Sequence, residues 1–173
     1  MALNIKRPSR TVEIVTDLEA LAESVNLANQ INQLADSNGN DATEAEQAAA
    51  RRERKDLQKQ LQELVATVDE SIVLVELKGL PSSKWNLIVI NNTTVSKGAT
   101  VKDYPGMLKD ALPQMLVSAR MKADDETSVS TRDITGLVDQ LTDPQTMELM
   151  IAVQELNTPL SALPKAAREA SRM

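Results

Sequence analysis

Leu57, Leu61, Leu64 and Val68 are spaced four, three and four residues apart, and most positions between them are charged or amide side chains. That spacing gathers the four onto one narrow stripe of a helix, whereas a strand would scatter them over both of its faces. Upstream, Leu18, Leu21, Val25, Ala28 and Ile31 recur at helical intervals, and Thr16 with Glu19 has the spacing of a capping box. A helix is therefore predicted from about Asp17 to Ala35. The segment Asp36 to Asp41 (DSNGND) breaks it, since Asn and Gly tolerate left-handed backbone and Asp, Ser and Asn compete for backbone hydrogen bonds. Thr43 with Glu46 is a second box and opens a charged helix to about Thr67. Two helices joined by a short turn lie antiparallel, so Leu57, Leu61, Leu64 and Val68 are expected to form the hairpin seam. The stripe thins over Ala48 to Arg54, so that end is expected to be exposed or to rest on another surface.

Two β-prone runs bracket this hairpin. Arg10 to Thr16 (RTVEIVT) alternates Val12 and Ile14 with polar neighbours, and Ser71 to Lys78 (SIVLVELK) is β-branched and apolar on both faces. A hairpin returns the chain to its start, so the second run is expected to pair antiparallel with residues 11–15.

Beyond Gly79 and Pro81, Ser82 or Ser83 can cap a short segment holding Trp85, Leu87, Ile88, Val89 and Ile90, for which helix is the preferred reading. Asn91 to Thr100 (NNTTVSKGAT) is polar and reads as a loop. Met107, Leu108, Leu112, Met115, Leu116 and Ala119 return at helical spacing, with Pro113 expected to divide that stretch in two. Lys122 to Ser128 is an acidic loop. Ser130 with Asp133 starts a helix holding Ile134, Leu137, Val138 and Leu141, and Asp143-Pro144 reads as N-cap and N1 of a last helix to Leu156, apolar nearly all round and so expected to be central. The fold class is mainly α with a small β component: an arm over 1–10, a strand, helical hairpin and strand unit over 11–80, a small helical domain over 81–156, and an extension over 157–173.

Composition narrows the chemistry. The 173 residues include one Trp, one Tyr and no Phe, so the core must be aliphatic; there is no Cys and no His. Disulfides, thiolate nucleophiles, Cys/His zinc sites and imidazole acid–base catalysis are excluded. The formal charge is −6, with 8 basic and 13 acidic residues over 1–70 and 11 and 12 over 71–173, so neither half is a phosphate-binding surface. Arg51, Arg52, Arg54 and Lys55 share their helix with Glu44, Glu46, Glu53, Asp56 and Glu63, and no aromatic side chains accompany them for stacking on bases. Asp124, Asp125 and Glu126 are adjacent acids in a polar loop, which are usually just solvated. No serine elbow, Ser-x-x-Lys motif or phosphate-binding glycine loop is present. No catalytic residue, metal or cofactor is expected, no segment reads as membrane-spanning, and the compartment implied is cytoplasmic.

Binding remains. Trp85 is a core anchor or a partner contact, and Met107, Met115, Met147 and Met150 lie on apolar faces that also suit adaptable binding.

The order of these features resembles the tail assembly chaperones of long-tailed actinobacteriophages. The residues that carry the likeness are the basic arm and strand at Arg7 to Val15, the Glu- and Ala-rich hairpin from Leu18 to Val68, Leu80, Pro81 and Trp85 after the second strand, and Asn157, Pro159 and Ser161 at the end of the last helix. It departs from the family after Trp85, where VINNTT (Val89 to Thr94) replaces a Pro-rich turn and an aromatic segment. The resemblance implies a non-enzymatic protein that coats the helical tape measure protein, or binds another tail protein, in the host cytoplasm, from a gene often extended by a ribosomal frameshift. On that reading the client groove is expected at Trp85, Met107, Leu108, Leu112, Met115 and Leu149. A virion component and a homodimerising accessory protein that uses the hairpin are the alternatives.

Overall fold

The computed structural model describes residues 4–36, 43–160, 162 and 164–171. It is mainly helical with a small β component. The elements follow the order β1 (Ser9–Val15), α1 (Leu18–Asp36), α2 (Glu44–Glu70), β2 (Ile72–Lys78), α3 (Ser82–Asn91), β3 (Thr93–Ser96), β4 (Ala99–Lys102), α4 (Tyr104–Met115), β5 (Leu116–Met121), α5 (Thr131–Leu137), a 3-10 turn (Val138–Gln140), α6 (Asp143–Asn157) and α7 (Lys165–Ala170). Three strands form a sheet of order β1-β2-β5, and β3 and β4 form a separate two-stranded sheet. The Gly79 amide donates to the Pro8 carbonyl at one end of the first strand pair and the Thr16 amide to the Ser71 carbonyl at the other, so β1 and β2 run antiparallel. The chain divides into two compact units: Glu13–Leu74 with Arg120–Ser128, and Met1–Val12 with Val75–Ala119 and Val129–Met173. The division therefore falls within β1, β2 and β5, not between residues 80 and 81.

In the first unit α1 packs along α2. The four seam residues Leu57, Leu61, Leu64 and Val68 are each half-buried, while the other residues from Arg51 to Glu70 are exposed. The facing stripe of α1 is Ala20, Ser24, Leu27 and Ile31, again spaced four, three and four. It is rotated from the expected one: Val25 is 53% exposed, and the small, buried Ser24 takes its place by donating its hydroxyl to the Ala20 carbonyl at 2.7 Å. Close helix approach favours small side chains at the seam, and a bonded hydroxyl can be buried there at little cost.

The caps differ too. Asp17, not Thr16, accepts from the Ala20 amide at 2.9 Å, because the Thr16 hydroxyl is spent on the Ser71 carbonyl. Thr43 and Glu46 do form the reciprocal box. The connecting residues 37–42, most of the breaker cluster, lie outside the described residues, as do Ser161 and residues 172–173.

In the second unit α4 is the hub, packing against α3, α5, the 3-10 turn and α6. Asp103 caps it, accepting from the Gly106 amide at 3.0 Å. Pro113 sits in the final turn of α4, where it forfeits a ladder bond and crowds the carbonyl one turn back, and the stretch divides two residues later, where α4 gives way to β5. Leu116 and Ala119, expected on that helix, belong instead to β5. Asn91 to Thr100 is not a simple loop either. Thr93 to Ser96 pair with Lys102 to Ala99 across a two-residue turn in which Lys97 and Gly98 both adopt left-handed backbone (φ 51° and 79°), which a tight hairpin demands. Ser130 and Asp133 form the expected box of α5, but α6 is capped by Thr142 with Gln145, so Asp143 is its first residue rather than its cap. Neither Ser82 nor Ser83 caps α3; Pro81 occupies the cap position.

Candidate functional site

The residues singled out as the client groove are the interior of the second unit. Met107, Leu108, Leu112 and Met115 fall on one face of α4 and Leu149 on α6; each is at most 2% exposed, and Trp85 is 6% exposed. A surface helix and a hub helix carry the same apolar periodicity, and here α3, α5 and α6 close over the face. The expected groove is therefore corrected: these six side chains are core, and Trp85 is the anchor of α3.

The Leu-Pro…Trp element and the terminal Asn of the last helix meet in this unit. The Asn157 side-chain oxygen accepts from the Leu80 amide at 2.7 Å, while its amide donates to the Val153 carbonyl at 2.8 Å and approaches the Met115 sulfur at 3.3 Å. A Cβ on Gly79 would run into the Leu156 carbonyl oxygen, so that close approach requires glycine. These residues form a clasp between the end of β2 and the end of α6, which is a packing role.

What the second unit leaves open is a cleft of about 490 Å3 where the starts of α4 and α6 meet the 3-10 turn. Tyr104, Pro105, Leu141 and Met147 supply its apolar lining, with Asp139 and Asp143 beside them. Met147 is 45% exposed and Ile151, one turn along α6, is 49% exposed, so an apolar stripe leads out of the cleft. α6 is thus buried on only one side, through Leu149, Met150, Ala152, Val153 and Leu156, contrary to the expectation of a fully central helix. The sequence signal for this stripe was the helix being apolar all round; an outer face so apolar has no counterpart within the unit to cover it. Lys109 bridges Asp139 at 2.5 Å, while Asp143 forms no ion pair among the described residues.

Three acidic clusters elsewhere are engaged structurally. Asp124 accepts from the Thr127 hydroxyl and the Glu126 amide, which hold its carboxyl below the ordinary carboxylate range, and Asp125 pairs with Arg120 at 2.9 Å. Lys122 donates to Glu13 at 3.2 Å, which, with Asp69 at 3.6 Å, pushes its ammonium above the ordinary lysine value. Glu46 lies low because the Thr43 amide and hydroxyl donate to it. Among the described residues no group of three or more carboxylates could hold a metal ion, and no helix is long and apolar enough to cross a membrane. Comparison with protein-family models, curated proteins and solved structures finds no match.

Proposed function

We propose that this protein is a tail assembly chaperone-like protein of a bacteriophage, which binds helical segments of the tape measure protein in the host cytoplasm while the tail is built. The observation that carries the reading is the cleft at Tyr104, Leu141 and Met147, continued by Ile151 along α6. An amphipathic helix lays apolar side chains spaced three and four apart into such a groove, and an exposed, flexible Met adapts to clients that vary along a long repetitive helix. The likeness of Arg7 to Val15, Leu80, Pro81, Trp85 and Asn157 to that chaperone family supports the choice of partner. The mechanism is reversible masking: the client's apolar stripe is covered until tail-tube subunits replace the chaperone, and no covalent step is involved.

Binding of synthetic helical tape-measure segments, followed by fluorescence anisotropy, tests this. Met147→Asp with Ile151→Asp is expected to weaken binding at least about tenfold, since two apolar contacts are replaced by desolvated charges. Unchanged affinity would remove the cleft as the client site. As a chaperone the protein is also expected to be absent from purified virions by mass spectrometry, whereas a tail component would be retained there.

A further inference from the structure

The β3–β4 hairpin is exposed on both faces: Val95 is 76% and Val101 51% exposed, and the other residues from Thr94 to Lys102 are exposed as well. Two strands alone are marginally stable in water. This one has the tight turn at Lys97-Gly98 to hold it, and its base is pinned by the Asp103 amide on the Asn92 carbonyl (2.9 Å) and by the Asn92 side chain on Asp110 (2.7 Å) and the Ile88 carbonyl (2.9 Å). Strand register puts Thr93, Val95, Thr100 and Lys102 on one face, so that an apolar knob sits between the cation at the base and the one at the tip, Lys97. Residues 93–102 contain these two lysines and no acid.

The cleft at the start of α6 has the converse chemistry: an apolar lining of Tyr104, Leu141 and Met147, and two aspartates, of which Asp139 is bridged by Lys109 while Asp143 forms no ion pair among the described residues. Both features belong to the same unit and both are open in it, with Val95 and Met147 each well exposed. We infer that the hairpin of one copy docks in the cleft of a second copy, Val95 on Met147 and Leu141, with the hairpin lysines Lys97 and Lys102 towards Asp143. Hairpin and cleft are different surfaces, so two copies either exchange hairpins reciprocally and close as a two-fold dimer, or add head-to-tail into chains or a larger ring. The net charge of −6 opposes association, which makes local charge pairing the determinant of register. The cleft is the one assigned above to the client, so a client helix and a second copy compete for it.

Sedimentation velocity on the full chain over a concentration series tests this. Mass is expected to grow with concentration from that of one chain to that of a dimer or larger, and to fall with added salt. Lys97→Glu with Lys102→Glu, on exposed hairpin positions, is expected to weaken association about tenfold or more, as is Asp143→Lys, and mixing the two reversed proteins is expected to restore it to within about threefold. A chain that is monomeric throughout, or an association that Lys97→Glu with Lys102→Glu leaves unchanged, overturns the proposal. Should the aspartate variant misfold, the lysine variant and Val95→Asp still decide it. Client binding measured at dilutions where the chain is monomeric stands or falls separately.

Discussion

Asn157 shows how much a single side chain can hold. It satisfies the Leu80 amide where β2 gives way to α3, and removing it leaves that amide without this partner, while the Val153 carbonyl keeps its place in the ladder of α6. Asn157→Ala is therefore expected to lower unfolding free energy by about 1–3 kcal/mol in urea titration; a loss within about 0.5 kcal/mol would mean water replaces the side chain. Asp124 and Glu46 make a prediction about acid. Both carboxyls are lowered in the folded chain, by Thr127 and Thr43 respectively, so each stabilises the fold fully above its unfolded value. That contribution is lost as pH falls through the lower, folded value. NMR titration of the two carboxyl carbons is expected to give midpoints below those of free Asp and Glu peptides, and Thr127→Val is expected to return Asp124 towards the ordinary range.

At the scale of elements, the helical hairpin was legible because each helix is long enough to repeat its stripe, and repetition separates helix from strand. Leu57→Lys with Leu61→Lys is expected to melt it, read as lost ellipticity at lower urea, while Val65→Lys on the exposed side (45% exposed) leaves the midpoint almost unchanged. β5 was not legible: Met115, Leu116 and Ala119 fit helical spacing, and the stretch is a strand because it pairs with the distant β2, through Ser118 on Glu76 at 3.1 Å and the Lys122 amide on the Ile72 carbonyl, and bridges to residues 127–129 on its other side. Sequence neighbours carry no record of such pairing. The β3–β4 hairpin escaped for the opposite reason, since a sheet exposed on both faces has no apolar alternation to read. Its one local signal was Lys97-Gly98.

For the whole molecule, apolar pattern alone could not separate a core from a groove. Leu108 and Leu112 have the residue types and spacing expected of a client surface, yet they are sealed inside the second unit; Met147 and Ile151, on a helix expected to be buried, are open. That contrast makes the central claim testable in one comparison. Helical tape-measure segments are titrated against the wild-type chain, against Met147→Asp with Ile151→Asp, and against Leu108→Asp with Leu112→Asp, each checked for fold by circular dichroism. The first variant is expected to keep its fold and lose binding at least about tenfold, while the second loses its fold because two charges cannot be buried unpaired. A folded, fully binding Met147→Asp with Ile151→Asp protein would contradict the claim.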